Sequence, residues 1–143
     1  MSNSALIIGA GPAGLMAAER LLAQGAQVQI FDAKPSIGRK FLMAGKSGLN
    51  LTKNEPLAIF QNQYYDASAQ LAPMLNDFGP ADVMRWANAL GADVFSGSSG
   101  RVFPKAMKAS PLLRAWMLRL QNAGAELRVK SRWTTLSKDG CFG

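Results

Sequence analysis

One glycine motif near the N-terminus constrains this fold more than any other feature, and it reads Gly9-Ala10-Gly11-Pro12-Ala13-Gly14. The motif lies between an apolar run at residues 5–8 and a stretch of helical periodicity at residues 12–24, and a second apolar run follows at residues 28–31. Glycines at this spacing between a strand and a helix are typical of a dinucleotide-binding βαβ unit. The sequence therefore predicts an α/β fold with a Rossmann-like βαβ unit and a parallel sheet.

The three glycines of this motif have different physical roles. Gly9 permits the tight turn, Gly11 lets the backbone approach a pyrophosphate, and Gly14 allows the helix to pack closely on the strand. Pro12 suits the first helical turn, where its missing N–H would have no partner anyway. The N–H groups around Ala13 and the positive end of the helix dipole favour a diphosphate. The alternative is a structural turn of small residues.

Asp32 ends the second apolar run, followed by Ala33. An acidic side chain about 20 residues beyond the motif can accept hydrogen bonds from the ribose hydroxyls of an adenosine. The alternative is an Asp that only forms a turn at the strand end. Because a carboxylate there would also repel the 2′-phosphate of NADP, the pattern favours FAD or NAD.

A Gly-rich and basic connection at residues 34–54 separates these two cofactors. It contains Gly38-Arg39-Lys40 and, further on, Asn50-Leu51-Thr52. A basic residue beyond the second strand can reach back to a diphosphate, and small residues let a flat flavin ring lie against backbone. This connection favours FAD over NAD.

The same stretch resembles the BaiN/YhiN-like flavoproteins, whose pattern runs Gly-Arg-Lys, then apolar residues, then a Gly-rich turn ending in Asn-Leu-Thr. Residues 101–105 and 108–110 are also similar to that family. The resemblance implies a two-dinucleotide-binding-domain flavoprotein, of which this chain would be an incomplete N-terminal part. It further implies a noncovalent FAD and an oxidoreductase activity whose small-molecule substrate is unknown.

By position, the resemblance places Gly38, Arg39 and Lys40 near the pyrophosphate. It places Asn50, Leu51 and Thr52 near the flavin. Trp133 stands where related flavoproteins contact the adenine through a backbone amide and carbonyl; the alternative is a strand aromatic in the core. Many family members have Arg-Cys before Asn-Leu-Thr, whereas Gly48-Leu49 stands here, so no cysteine would lie beside the flavin.

Four regions follow from the pattern: a βαβ core at 4–33, a flavin-proximal loop at 34–54, a helical region at 55–91, and a hairpin, a helix and strands at 92–143. Helices are predicted over 39–43, 68–78 and 80–90, and from an N-cap at Ser110 to a stop at Gly124. A hairpin joins 94–95 to 101–103. Residues 126–130 and 132–136 are predicted to be extended, with a turn at 138–140. We expect the strand from Cys141 to be unfinished, which would leave a sheet edge for self-association.

Composition excludes several other classes of protein. One Cys and no His leave neither a disulfide within the chain nor a zinc site. The apolar segment at residues 5–18 has no basic leader and is followed at once by Glu19 and Arg20, which argues against a signal peptide or a membrane span. We therefore expect a soluble, cytoplasmic protein without metal. No catalytic residue can be assigned, as is typical where a flavin performs the transfer.

A formal net charge of +7 would favour anionic partners such as phosphates or nucleic acid. The basic residues are scattered without a dense run, which argues against a nucleic-acid arm and for a solvated face. The leading prediction is an FAD-dependent oxidoreductase for which NAD(P)H is the candidate reductant. Two alternatives stay open: an NAD-dependent dehydrogenase, and a nucleotide- or RNA-associated flavin-fold protein without independent catalysis.

Overall fold

The computed structural model describes residues 3–135, and the chain folds as two compact units. The first unit comprises Met1–Met43 and Trp116–Gly143, and the second comprises Ala44–Ala115. The predicted turn at 138–140 and the strand from Cys141 lie outside the described residues.

The helices and strands alternate irregularly along the chain. In order, they are β1 (Ser4–Ile8), α1 (Pro12–Ala23), β2 (Gln27–Phe31), α2 (Arg39–Ala44), β3 (Thr52–Lys53), α3 (Leu57–Asn62), a 3-10 turn (Tyr65–Ala67), α4 (Ser68–Asp77), α5 (Pro80–Ala89), β4 (Val94–Ser96), β5 (Arg101–Pro104), α6 (Ala109–Asn122) and β6 (Glu126–Arg128). Over residues 3–135, no helix has both the length and the hydropathy needed to cross a bilayer.

The first unit contains the βαβ arrangement that the glycine motif predicts. β1 and β2 run parallel, with Ser4 beside Gln27 and Ile8 beside Phe31, and β6 adds a third parallel strand in the order β1-β2-β6. Parallel neighbours need a crossover connection, and α1 supplies it while burying Leu15 and Ala18. The Rossmann-like α/β fold is thus confirmed.

A polar cluster inside the first unit joins α1 to residues of α6. Helical periodicity predicts that Glu19 faces outward, but its carboxylate accepts hydrogen bonds from Trp116 Nε1 at 2.5 Å and from Arg119 Nη1 at 3.0 Å. Trp116 is only 2% exposed. Because a buried indole N–H requires an acceptor, Glu19 turns toward α6 rather than toward solvent.

The second unit is built on a small antiparallel sheet of order β3-β5-β4. Thr52 pairs with Val102, and Phe95 pairs with Phe103. One face of this sheet is buried through Thr52, Val102 and Pro104. The helices α3, α4 and α5 lie between β3 and β4 in the chain.

The structure departs from the predicted elements at three places. The last helix begins at Ala109, so Ser110 lies inside its first turn and is not the N-cap. The extended region after Gly124 is limited to β6, and residues 132–135 form no strand. The short elements β3 and α3 were not predicted.

Candidate functional site

The glycine motif forms a tight turn from β1 into α1. Gly9 has a φ of 102°, a left-handed conformation that side-chain-bearing residues rarely adopt, and its N–H donates to the Phe31 carbonyl at 2.7 Å. Gly11 is the N-cap of α1 and Pro12 is its first residue. Within the described part of the chain no side chain caps this helix, so its first N–H groups face outward without intrahelical acceptors.

Gly11 and Gly14 differ sharply in the space around them. A Cβ placed on Gly14 would lie 2.0 Å from the Gly9 carbonyl oxygen, so this position must lack a side chain for the turn to close. A Cβ placed on Gly11 would meet no atom within 4 Å, and its φ of −87° suits any residue. Folding therefore does not require glycine at position 11. The open space at the helix N-terminus fits a diphosphate that approaches the backbone.

Asp32 fastens the glycine turn to the end of β2. Its Oδ2 accepts the N–H of Ala10 at 2.8 Å, and its Oδ1 accepts the N–H of Lys34 at 2.8 Å. Each carboxylate oxygen keeps a further lone pair that a ribose hydroxyl could use. The sequence predicted a ribose contact or a turn at this position, but it did not predict the bond to Ala10.

The segment after β2 returns to the same turn. Gly38 is buried, and its N–H donates to the Ala10 carbonyl at 2.9 Å. Arg39 and Lys40 are exposed at the start of α2, and Arg39 Nη1 contacts Ser36 Oγ at 3.3 Å. The structure thus brings Gly38 to the glycine turn and leaves both cations exposed. Ala33 is exposed as well.

The backbone after β6 also passes the end of β2, which sequence reasoning missed. The N–H of Ser131 donates to the Asp32 carbonyl at 2.9 Å, and the N–H of Lys130 donates to the Lys34 carbonyl at 3.1 Å. Lys130 has a φ of 56°, a left-handed conformation that is uncommon for a residue with a side chain. Backbone strain of this kind concentrates at functional sites. No feature of the sequence predicts the left-handed conformation of Lys130.

Trp133 is half exposed, and its Nε1 donates to the Thr135 carbonyl at 2.7 Å. The alternative of a strand aromatic in the core is therefore wrong. The adenine contact proposed for its backbone stays a prediction.

Three further site residues, Asn50, Leu51 and Thr52, lie in the second unit, and β5 holds the last two. The N–H of Leu51 donates to the Val102 carbonyl at 2.9 Å, and Thr52 is buried in β3. Asn50 is exposed. Their place beside a flavin stays a prediction. The described residues contain no cluster of three or more side chains suited to a metal ion.

A comparison with protein families shows which family this chain belongs to. The model of the HI0933-like protein Rossmann domain matches residues 3–142. The chain belongs to this family. Its members are FAD-binding flavoproteins, and a glycine turn between parallel strands is typical of dinucleotide-binding βαβ units.

Individual relatives cover this chain to different extents. A ribosomal RNA dihydrouridine synthase from Haemophilus influenzae is 42% identical over 67 residues, which is 45% of this chain and 17% of that protein. The chain thus spans less than a fifth of the length of this curated relative.

Solved structures share the fold at low identity. An open flavocytochrome c3 fumarate reductase superposes with a TM-score of 0.68 at 20% identity, covering 95% of this chain and 28% of that one. THI4 from Thermovibrio ammonificans superposes with a TM-score of 0.57 at 19% identity, covering 99% and 44%.

Proposed function

We propose that the full-length protein is an oxidoreductase with a noncovalent FAD, and that it reduces uridine in ribosomal RNA. The observation that carries the cofactor is the open space at Gly11, where the helix N-terminus is free of any capping side chain. The observation that carries the substrate is the similarity to the ribosomal RNA dihydrouridine synthase. The net charge of +7 supports a polyanionic substrate.

The first unit would hold the adenosine diphosphate half of the cofactor. The N–H groups of Gly11, Ala13 and Gly14 would donate to the pyrophosphate, with Arg39 and Lys40 adding positive charge. Asp32 would accept from the ribose hydroxyls through its remaining lone pairs. The backbone at Trp133 would contact the adenine.

Asn50, Leu51 and Thr52 would lie near the flavin. Because Leu51 and Thr52 are fixed to β5 through Val102, this segment could hold a flat ring in one orientation. We place the protein in the BaiN/YhiN-like branch on the Gly-Arg-Lys and Asn-Leu-Thr patterns. Gly48-Leu49 replaces the Arg-Cys of many members, so we assign no role to a cysteine here.

The bound FAD would supply hydride transfer, with NAD(P)H as the source of both electrons. Reduction of uridine adds a hydride to C6 and a proton from solution to C5 of the uracil ring, so each reduced uridine consumes one NAD(P)H and one proton, and the double bond between C5 and C6 is lost. Protein groups must therefore bind the polynucleotide, orient the base and keep water from the reduced cofactor.

The test uses flavin-loaded full-length protein, unmodified ribosomal RNA made by transcription, and NAD(P)H. We expect nucleotide mass spectrometry to show uridines heavier by two hydrogen atoms, with equivalent oxidation of NAD(P)H. A reaction without NAD(P)H is the control. Oxidation of NAD(P)H without any change in the RNA would contradict the substrate while leaving the oxidoreductase activity in place.

A further inference from the structure

The second unit presents a sheet face that combines cations with aromatic rings. Cross-strand partners in an antiparallel sheet project to the same side, and so do alternate residues of one strand. The register pairs Lys53 with Arg101 and Phe95 with Phe103. Because Arg101 and Phe103 alternate along β5, all four side chains belong to one face, which we call the aromatic-basic face.

Phe95 and Arg101 are exposed on this face, and Lys53 and Phe103 are half-buried. Phe95 is 41% exposed, and its ring centroid lies 6.1 Å from that of Phe103. The Phe103 ring is bordered by glycines, since a Cβ on Gly97 would lie 3.7 Å from its Cε2 and one on Gly48 would lie 3.9 Å from its Cε1. The absence of a side chain at Gly97 leaves room beside the Phe103 ring, whereas Met107 Cε lies 3.0 Å from the Cβ position of Gly48.

The aromatic-basic face carries two cations, and a carboxylate pairs with one of them. Arg101 is exposed, and it forms no ion pair with any described residue. Lys53 Nζ lies 2.6 Å from Glu55 Oε2, so the carboxylate neutralises this second cation. Glu55 Oε1 is buried without a hydrogen-bond partner, which makes Glu55 a costly group to keep in place.

We propose that the aromatic-basic face binds a single-stranded segment of RNA, an inference that rests on the proposed function. Exposed aromatic rings on an antiparallel sheet stack on unpaired bases, and neighbouring cations bind the phosphates between them. Phe95 and Phe103 are the stacking rings, and Arg101 is the phosphate-binding cation. Lys53 becomes a second phosphate contact when its pairing with Glu55 loosens.

The test measures affinity of flavin-loaded full-length protein for a short uridine-rich single-stranded RNA over a series of salt concentrations. We expect Phe95→Ala to weaken binding roughly tenfold, as loss of one stacked base does, while Phe95→Tyr retains it. Arg101→Ala should weaken binding and reduce the slope of log affinity against log salt by about 0.7. Glu55→Gln should strengthen binding, because it releases Lys53.

Two matched variants in the same unit serve as controls. Tyr65→Ala removes an aromatic side chain that is 82% exposed, and Arg114→Ala removes an exposed cation on α6. Both should leave RNA affinity unchanged. Flavin content is measured for every variant.

Four results would overturn the aromatic-basic face as an RNA site. An equal loss in Arg114→Ala would show a general charge effect, an equal loss in Tyr65→Ala would show a general effect of exposed aromatic rings, and loss of flavin in Phe95→Ala would assign the rings to the cofactor. If Phe95→Ala and Arg101→Ala kept the wild-type RNA affinity but changed the mass of the protein particle in solution, the face would be a contact between proteins. In each of these cases wild-type RNA reduction would stand, whereas a wild-type protein that neither binds nor reduces RNA would overturn the proposed function as well.

Discussion

At the scale of single residues, the glycine turn contains one glycine that folding requires and one that folding does not require. Gly14 is required because its missing side chain lets α1 approach the Gly9 carbonyl. Gly11 faces open space and has an ordinary backbone conformation. The structure confirms the packing role that the motif predicts for Gly14, and the approach of a pyrophosphate at Gly11 stays a prediction.

We predict that alanine at position 11 lowers FAD affinity, whereas alanine at position 14 lowers the stability of the fold. Gly11→Ala should keep the free energy of unfolding within about 1 kcal/mol of wild type, while FAD affinity falls because the methyl group occupies the approach to the backbone. Gly14→Ala should lower the free energy of unfolding by about 1–3 kcal/mol through steric overlap. Denaturant unfolding of the apoprotein and flavin titration measure the two effects. Equal flavin affinity in a folded Gly11→Ala variant would refute the role of Gly11.

Asp32 should show a mixed phenotype. Asp32→Ala leaves the N–H groups of Ala10 and Lys34 without their acceptor, so we expect a stability loss of about 1–3 kcal/mol together with weaker FAD binding. The loss of FAD affinity should be smaller than in a Gly11→Val variant, whose side chain would fill the approach of the pyrophosphate, because the only cofactor contacts that Asp32→Ala removes are the ribose hydrogen bonds. Thermal unfolding and flavin titration of each variant decide this. Wild-type stability in Asp32→Ala would show that the bond to Ala10 contributes nothing.

At the scale of elements, local signals predicted the structure best. Pro12 and Gly25 bracket α1, and Pro80 and Gly91 bracket α5, close to the ends that the structure shows. The two-residue strand β3 escaped prediction because only its pairing with β5, far along the chain, makes it a strand. The hydrogen bond between Glu19 and Trp116 joins residues 97 positions apart, which periodicity within α1 cannot reveal.

The start of α5 should respond to acid. The Asp82 carboxylate accepts the Gly79 N–H at 3.0 Å, and this bond, aided by Arg85 and opposed by desolvation, holds the pKa of Asp82 below its ordinary value. A lowered folded-state pKa adds stability above the unfolded pKa, and that stability is lost as the pH falls through the folded value. We predict that the melting temperature of wild type falls more between about pH 5 and pH 3 than that of Asp82→Asn. Parallel curves for the two proteins would show that this bond has no such role.

At the scale of the whole molecule, the sequence predicted the parallel βαβ unit and the family resemblance agreed with the fold. It could not predict how the chain divides. The second unit interrupts the first between Met43 and Trp116, and a division of this kind depends on tertiary contacts rather than on local pattern. The aromatic-basic face likewise follows from strand register, because Lys53 and Phe95 are far apart in sequence.

The central claim is that this Rossmann unit serves a flavoprotein. The most direct measurement is to release the bound molecule from purified full-length protein by heat and to identify it by mass. The account predicts FAD in stoichiometric amount, released without covalent attachment. Recovery of NAD with no flavin would contradict it.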